Sequence, residues 1–347
     1  MRSLPASFTV EVVEVGSAPD HVLEAMYAVA HAIEREDLPE PPWEPEREWI
    51  AELRADALVQ DRADWLVRTL DGTPAGTGSF YATRTGENRH RAKLVVRVAP
   101  AHRRRGVGTQ LLGLVVRAAI DAGRTVVQSW TTAGSAGAAW AEAHGITAED
   151  HLELNRLRVS ELDRALLADW TTRAAERATD YELVGWDGGC PAELRSAYAE
   201  VRKVMNTAPQ TQDHVDEVFT VAKLDELEAS WEEGGLPWWT LCARHRPSGR
   251  LAGYTEMTFS DDEPALAYQG DTAVDPSHRE RGLGRWVKAA LLQRVLEERP
   301  AVEVVDTYNA GSNEAMITIN RALGFRVVLH TERRRADLQD VATHLGL

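Results

Sequence analysis

The chain has 347 residues, of which 44% are hydrophobic and 27% are charged, a composition typical of soluble globular proteins. No apolar run approaches the roughly 20 residues of a membrane span, and the net charge of −15 argues against nucleic acid as a partner. The two cysteines, Cys190 and Cys242, provide neither a disulfide framework nor the spacing of a metal site. We therefore expect a cytoplasmic protein, long enough for two domains, with no metal, no membrane partner and no nucleic-acid partner.

The first half of the chain alternates between strand and helix patterns. Alternating β-branched residues predict strands, and apolar residues at helical spacing predict helices. The predicted strands cover residues 8–15, 65–70, 75–83, 93–100, 124–130 and 151–159. The predicted helices cover residues 21–36, 44–57, 109–123 and 136–145. This order of elements is typical of a mixed α/β unit.

The second half repeats that order. Its predicted strands cover residues 181–186, 238–245, 251–259, 265–276, 302–310 and 325–334. Its predicted helices cover residues 192–205, 214–233, 283–298 and 314–324. We therefore predict a tandem duplication, with an N-terminal domain over 1–158, a linker helix over 159–180 and a C-terminal domain over 181–347.

One phrase occurs twice at a fixed offset of 176 residues, as VAPAHRRRGVG over 98–108 and as VDPSHRERGLG over 274–284. In each copy a strand stops at a proline, a loop supplies Arg-x-x-Gly-x-Gly, and a helix begins. Glycines allow backbone N–H groups to approach a ligand, and the helix adds its unpaired amides and positive end, which suits a phosphate or pyrophosphate. A P-loop is excluded because Gly-Lys-Ser/Thr is absent, and a dinucleotide-binding fold would carry its glycines after the first strand. The alternative is a glycine turn that only joins strand to helix.

The Arg-x-x-Gly-x-Gly loop after a fourth strand resembles the GNAT superfamily of acyl-CoA-dependent N-acyltransferases. The resemblance covers residues 8–159 and 181–337. It implies an α/β fold class with mixed sheets: two tandem GNAT folds, each flanked by helices and splayed between its fourth and fifth strands to admit a pantetheine arm. It also implies acetyl-CoA as the acyl donor. The tandem arrangement is similar to that of mycothiol synthase, although nothing in the motifs indicates a substrate.

The resemblance assigns cofactor-binding residues through the repeated phrase. Val98 and Val274 match the strand-end position whose backbone pairs with the pantetheine arm. The pyrophosphate loop of the first copy matches Arg103, Arg105, Gly106, Val107, Gly108 and Thr109. The pyrophosphate loop of the second copy matches Arg279, Arg281, Gly282, Leu283, Gly284 and Arg285.

The two copies differ beyond the loop. In the second copy Asn309 and Asn313 match asparagines that contact the pantetheine in family members, whereas the first copy has Thr132 and Ala136 there. The usual general acid of the family is a tyrosine four residues before a glycine, and that position is Asn320 in the second copy. We therefore expect the C-terminal domain to be catalytic and the N-terminal domain to be degenerate.

Acyl transfer to an amine also needs a way to remove a proton. Glu256 and Asp271 are acidic residues in strands that otherwise look apolar, and burial would raise their pKa values toward a useful range. They are our candidates for the catalytic base, and an edge carboxylate or a structural hydrogen bond is the alternative for each. Tyr268 or Tyr308 could donate a proton to the leaving sulfur.

These features predict an N-acetyltransferase that moves the acetyl group of acetyl-CoA to a primary amine of a small molecule, by direct attack in the C-terminal domain. We expect a monomer or a homodimer. The rival hypothesis is an acyl-CoA-binding regulatory module without turnover. The missing tyrosine favours this rival, whereas the asparagine pair and the intact loop of the second copy oppose it.

Overall fold

The computed structural model describes residues 6–38, 40–84, 86–208 and 213–347, and these ranges contain twelve strands and ten helices. The strands are β1 (Phe8–Val13), β2 (Gln60–Thr69), β3 (Pro74–Thr83), β4 (Arg91–Val98), β5 (Val126–Thr132), β6 (Thr147–Arg158), β7 (Tyr181–Asp187), β8 (Trp238–His245), β9 (Leu251–Phe259), β10 (Leu266–Val274), β11 (Val304–Ala310) and β12 (Arg326–Asp337). The helices are α1 (Asp20–Asp37), α2 (Glu46–Val59), α3 (Val107–Asp121), α4 (Ala136–Ala143), α5 (Arg164–Arg177), α6 (Arg195–Arg202), α7 (Val221–Glu233), α8 (Leu283–Glu298), α9 (Glu314–Leu323) and α10 (Leu338–Leu345). Within the described ranges, no helix combines the length and the apolar character that crossing a lipid bilayer requires.

The chain folds into two compact units that do not follow the halves of the sequence. The first unit consists of Met1–Leu152 and Leu329–Leu347, and the second consists of Glu153–Val328. The predicted domains at 1–158 and 181–347 differ from these units in two respects. The end of β6 and helix α5, predicted as a linker, belong to the second unit, whereas most of β12 and helix α10 belong to the first. A sequence repeat gives the order of the elements, but pairing over long sequence separations decides which sheet a terminal strand joins.

The sheet of the first unit has the strand order β1-β2-β3-β4-β5, followed by β12. Strands β1 to β4 pair antiparallel, β4 and β5 pair parallel, and β12 pairs antiparallel with β5. Adjacent residues of β2 point to opposite faces of the sheet. Leu66 therefore packs with α1 and α2, whereas Val67 packs with α3. Helices therefore cover both faces of this sheet.

The sheet of the second unit has the strand order β7-β8-β9-β10-β11, followed by β6. Strands β7 to β10 pair antiparallel, and β10 and β11 pair parallel. On β9, Tyr254 packs with α6 and α7, whereas Met257 lies in the core with α8 on the other face. A buried ion pair joins β6 to β11, since the guanidinium of Arg156 donates two hydrogen bonds of 2.9 and 2.8 Å to the carboxylate of Asp306. The predicted fold class, two tandem mixed-sheet units, is confirmed.

In both units the parallel strand pair separates after a short stretch. Strand β4 pairs with β5 only over Arg91–Lys93, and β10 pairs with β11 only over Leu266–Tyr268. Beyond these residues the strands diverge, as the resemblance implies. The divergence leaves backbone N–H and C=O groups of each pair without a strand partner on that side.

A β-bulge distinguishes β10 from β4. Against β9, the pairing of β10 shifts between Gln269 and Thr272, so that Gly270 and Asp271 stand opposite the single residue Glu256. Strand β4 pairs with β3 without such a shift. A bulge bends the strand and re-aims a side chain, and bulges are common beside active sites.

Two helices differ from the sequence predictions. The helix predicted over 214–233 begins only at Val221, because the side chain of Asn206 engages the backbone of the preceding segment. That side chain accepts from the N–H of Glu217 at 3.0 Å and donates to the C=O of the same residue at 2.9 Å. Helix α10 has no counterpart among the predicted elements, and Leu338 and Val341 place it in the core of the first unit with α3.

Helix α10 should stabilise the first unit although it follows the second unit in sequence. We expect Leu338→Ala, which removes a buried side chain from the core shared with α3, to cost about 2–5 kcal/mol. Hydrogen exchange should then accelerate for amides of α3, β4 and β5, while amides of α8 keep their protection. The exposed neighbour provides the control, since Gln339→Ala should leave both units unchanged. Equal loss of protection in α8 would contradict the division into units.

Candidate active site

Both copies of the repeated phrase adopt the same backbone conformation. In the loop between β10 and α8, φ is positive at Glu280 (63°) and at Gly282 (80°). In the loop between β4 and α3, φ is positive at Arg104 (63°) and at Gly106 (82°). Left-handed residues at this spacing form a concave arrangement of N–H groups that favours anions. The glycine before each helix adopts its positive φ without the strain that a side chain adds there.

The N-terminus of α8 lacks a side-chain cap. Gly282 occupies the capping position, and the first helical hydrogen bond runs from the N–H of Trp286 to the C=O of Gly282 at 3.0 Å. The amides of Leu283, Gly284 and Arg285 therefore have no helical acceptor. Helix α3 begins in the same way, with Gly106 at the capping position. Helices α1, α2 and α6 also lack a side-chain cap but do not begin at a glycine, whereas α4, α5, α7, α9 and α10 each start with a side-chain cap. The uncapped ends of α3 and α8 can donate to an anion.

The first arginine of each phrase fixes the loop to the preceding strand. Arg279 donates from Nε to the C=O of Val274 at 3.1 Å. Arg103 makes the equivalent bond to Val98 at 3.3 Å, and its two terminal nitrogens pair with both carboxylate oxygens of Glu36. The charge of Arg103 is thus already matched within the protein. The structure gives both arginines a positioning role.

Four arginines of the two loops have no carboxylate partner among the described residues, namely Arg104, Arg105, Arg279 and Arg281. Arg105 and Arg281 are exposed, and neither has an ion-pair partner among the described residues. On the first helical turns, Thr109 is exposed, and the guanidinium of Arg285 lies 5.3 Å from the ring centroid of Trp170. A pyrophosphate on either loop would therefore meet Arg105 or Arg281 together with the helix amides.

Other loop residues of the prediction can contribute only backbone atoms. The side chains of Val107 and Leu283 are buried in the cores of their units. Gly284 is closely packed, since a Cβ added there would lie 3.5 Å from Val274 and 3.9 Å from Ile319. The face of α8 that carries Gly284 therefore looks toward the end of β10 and toward α9.

A buried arginine links the two carboxylates predicted as bases. Arg202 of α6 donates from Nη1 to Glu256 and from Nη2 to Asp271, the latter at 3.3 Å. Tyr198 donates to Glu256, and Tyr254 donates to Asp271 at 3.2 Å. The structure therefore brings Glu256 and Asp271 together. We call these five residues the Arg202 cluster.

The two carboxylates of the cluster differ in accessibility. Glu256 is buried, and burial raises the pKa of its carboxyl to about 7 against the opposing effect of Arg202. Asp271, in the bulge, keeps 34% of its side chain exposed. One guanidinium faces two carboxylates, so the cluster carries one uncompensated negative charge when both are ionised. Asp271 is the carboxylate that an incoming cation can reach, and Glu256 holds Arg202 in place.

The two tyrosines considered as acids lie on either side of the point where the strands separate. Tyr268 is half-buried in the part of β10 that still pairs with β11, opposite Asp306. Tyr308 lies on the diverging part of β11 and is 55% exposed. Of the two hydroxyl groups, that of Tyr308 is therefore on the more accessible side chain.

The asparagines of the second copy are engaged within the protein. Oδ1 of Asn309 accepts from Nδ2 of Asn320 at 2.6 Å and from Nδ2 of Asn155 at 3.3 Å. Asn313 caps α9 by accepting from the N–H of Met316 at 3.3 Å. These bonds use Oδ1 of Asn309 and of Asn313, and no hydrogen bond of either Nδ2 group is found among the described residues. Asn320 is fully buried at the tyrosine position of the family.

The first unit does not have the side chains that surround the gap in the second unit. The residue in register with Glu256 is Ser79, which donates to Asp64 at 2.6 Å, and the charge of Asp64 is matched by an arginine of the same strand. Beside the loop, the ring of Trp140 lies 3.5 Å from where a Cβ on Gly108 would be. The first unit therefore keeps the loop, while a buried ion pair and a tryptophan occupy the neighbouring positions.

Sequence reasoning missed Arg202, the centre of the cluster. One signal was available, because Tyr198, Val201 and Arg202 share the buried face of α6, where an arginine needs partners. A second signal was Gly270, since an isolated glycine within a strand pattern suggests a bulge. Neither signal identifies the carboxylates that the arginine contacts.

Comparison with known proteins agrees with the fold and the loops. Residues 25–145 and 201–325 each match the Acetyltransferase (GNAT) family. Over 321 residues the chain is 29% identical to a mycothiol acetyltransferase from Kineococcus radiotolerans, with 89% of this chain and 91% of that protein covered.

Solved structures have the same architecture. A tandem GNAT protein from the clavulanic acid biosynthesis pathway superimposes with a TM-score of 0.78 at 25% identity, covering 95% of this chain and 98% of that chain. A GCN5-related N-acetyltransferase from Sphaerobacter thermophilus gives a TM-score of 0.69 at 16% identity, covering 97% of each chain. At 16% identity this second likeness supports the fold alone.

The Arg202 cluster should make the stability of the second unit depend on pH. The pKa of Glu256 is raised from its unfolded value of about 4.3 to about 7, so its contribution to stability is complete below the unfolded pKa and is lost as the pH rises through the folded pKa. We expect Arg202→Met, which leaves Glu256 without its cation, to lower the free energy of unfolding by about 3–5 kcal/mol above neutral pH. Under mildly acidic conditions the loss should be smaller, because the carboxyl is then neutral.

Urea unfolding of the two proteins on both sides of neutrality, followed by hydrogen exchange in β9, measures this difference. The double variant Arg202→Met/Glu256→Gln is the control, and it should recover part of the loss seen above neutral pH. An equal loss at both pH values would mean that packing of the arginine, and not its charge, stabilises the unit.

Proposed function

This chain belongs to the GNAT family of acetyltransferases, and we propose that its second unit transfers the acetyl group of acetyl-CoA to a primary amine of a small molecule. The observation that carries this proposal is the β-bulge of β10, which β4 does not share. The bulge presents Asp271 close to the point where the parallel strands separate. A partly exposed carboxylate and a gap between strands therefore coincide in the second unit.

The residues of the second unit fit an acyl-CoA in two places. The loop before α8 offers the amides of Leu283, Gly284 and Arg285 and the exposed guanidinium of Arg281 to a pyrophosphate. The diverging parts of β10 and β11 offer backbone hydrogen-bonding groups to an amide-containing arm. When bound, acetyl-CoA supplies an acetyl group activated as a thioester.

The charge of the Arg202 cluster supports a cationic acceptor. An alkyl amine with a pKa near 10 is mostly an ammonium ion at neutral pH. The negative charge that the cluster carries once Glu256 is ionised attracts this ion, and Asp271 accepts a proton from its nitrogen. The partial exposure of Asp271 lets that proton pass to solvent, while Arg202 and Tyr254 keep the carboxylate in one orientation.

The relatives support a small molecule as the acceptor. One relative is named a mycothiol acetyltransferase, and one similar structure comes from the clavulanic acid biosynthesis pathway. Both names refer to small molecules. For this chain we propose only the class of acceptor, a primary amine that arrives as a cation.

We infer that the first unit does not catalyse the transfer. It keeps the loop and the uncapped helix, but it has no bulge in β4. The residue in register with Glu256 is Ser79, and the carboxylate beside it, Asp64, is buried and paired with Arg62. Trp140 lies beside Gly108. These differences support catalysis in the second unit.

Equivalent substitutions in the two loops can test this assignment. We expect Gly282→Val to abolish most turnover, because a β-branched residue at a positive φ distorts the loop that would hold the pyrophosphate. Gly106→Val imposes the same strain in the first unit, and neither position has another atom within 4 Å of an added Cβ. The matched variant should therefore keep most activity. Thiol release from acetyl-CoA with a panel of primary amines measures both.

Circular dichroism of both variants shows whether each remains folded. If the folded Gly106→Val protein loses more activity than the folded Gly282→Val protein, catalysis belongs to the first unit and the assignment is reversed.

A substitution of Asp271 tests the proposed base. We expect Asp271→Asn to lower kcat/KM by roughly 10²-fold, within the usual range for a lost general base. The loss should shrink at high pH, where more of the amine is already neutral. Asparagine keeps the size of the side chain and can still accept from Arg202 and Tyr254, so the fold should persist. A variant with full activity at every pH would exclude Asp271 as the base.

A further inference from the structure

A lysine is buried in α8 without a partner for its charge. Lys288 is 1% exposed, and among the described residues neither a carboxylate nor a hydrogen-bond acceptor pairs with its Nζ. The Nζ lies 5.1 Å from the ring centroid of Phe325. In the first unit the corresponding sixth residue of α3 is Leu112, an ordinary core residue. Leucine therefore suits this position structurally, and the lysine of the second unit calls for another explanation.

The position of Lys288 is beside the gap between β10 and β11. Lys288 follows Gly284 by four residues and so lies on the same face of α8, the face that looks toward Val274 and Ile319. Asn320, which follows Ile319 in α9, is fully buried and donates a hydrogen bond to Asn309 on the diverging part of β11.

Two further contacts place Lys288 close to Asn320. The N–H of Phe325, whose ring lies under the Lys288 ammonium, donates to the C=O of Asn320 at 3.0 Å. Oδ1 of Asn320 is buried and has no hydrogen-bond partner among the described residues. The amino group of a buried lysine and a buried acceptor without a partner thus lie on the side of the gap where the family has its tyrosine.

Burial lowers the pKa of Lys288 to about 7, and no charged group among the described residues adds to this shift. The charged side chains on the elements packed around α8 are paired elsewhere or exposed: Asp169 with Arg173, Glu182 with Arg244, Glu256 and Asp271 with Arg202, Asp306 with Arg156, and Arg321 in solvent. At neutral pH Lys288 therefore exchanges between its ammonium and its amine form.

We propose that Lys288 donates the proton that the departing CoA sulfur requires, in place of the tyrosine that the family usually has. The acceptor nitrogen forms a bond to the acetyl carbon, the carbon–sulfur bond breaks, and its electron pair leaves on sulfur. One N–H bond of the Lys288 ammonium breaks as its proton binds to that sulfur, which gives the free thiol and a neutral amine. The amine of Lys288 then takes up a proton from solvent. Solvent also receives the proton that the acceptor nitrogen released, so the protons balance. This inference rests on the proposed function of the second unit.

The substitution Lys288→Leu, which copies the residue of the first unit, tests the proposal. We expect kcat for the best amine of a panel to fall by about 10- to 10²-fold, while the dissociation constant of CoA, measured by calorimetry, stays unchanged. The melting temperature should rise, because an unpaired buried amine is replaced by an apolar side chain. A gain in stability together with a loss of kcat is not expected of a residue that only supports the fold.

The pH profile separates an acid from a packing residue. In the wild-type protein kcat should decline as the pH rises above the pKa of Lys288, since the donor loses its proton. In the Lys288→Leu protein this decline should disappear. The stability gain of the variant should be largest below neutral pH, fall as the pH rises toward the pKa of an unfolded lysine, about 10.4, and level off above it at the smaller gain from removing a neutral, unpaired amine.

Each outcome decides one question. A variant that melts higher but keeps the wild-type kcat and pH profile would overturn the role of Lys288. A variant that melts lower, with kcat reduced at all pH values alike, would also overturn it and mark the lysine as structural. If the wild-type protein binds acetyl-CoA but releases no thiol with any amine, the proposed function fails, whatever the stability of the variant.

Discussion

The site depends on one constraint, the short pairing of β10 with β11. Three residues of each strand pair in parallel, and beyond them the strands diverge. Two features accompany the divergence: the bulge at Gly270 and Asp271 alters the course of β10, and the ion pair of Arg156 with Asp306 binds β11 to β6. Backbone groups that a closed sheet would satisfy internally are thereby left for a ligand that resembles a peptide strand.

The charges around this gap follow from burial. Arg202 is nearly buried beneath aromatic rings, so it must be paired, and it takes both Glu256 and Asp271. The pairing is unbalanced, with two carboxylates for one guanidinium. On the opposite side of the sheet, Lys288 is buried, and none of the described residues pairs with its charge. Both arrangements cost stability, and proteins commonly place such costs at sites that perform chemistry.

The two units show how a duplicated fold can keep a loop and change its interior. The backbone of the two loops is nearly identical, down to the left-handed residue before each helix. The interior positions differ: the first unit has Ser79, Leu112 and Trp140 where the second has Glu256, Lys288 and Ile319. A loop conformation depends on a few local residues and survives such changes. A catalytic interior needs several distant residues at once, so one substitution can remove it.

The sequence by itself determined the local features: most strands and helices, the repeated glycine-containing loop, the family resemblance, and Glu256 and Asp271 as separate candidates for the base. Each depends on residues near one another in the chain, or on a motif that repeats. Only the tertiary structure decided that β6 completes the second sheet and β12 the first. It also decided that Arg202 joins the two carboxylates, that Arg103 is neutralised by Glu36, and that Asn309 and Asn320 bond to each other. These contacts join distant segments through burial and packing, and no local pattern encodes which buried partner a charged side chain will find.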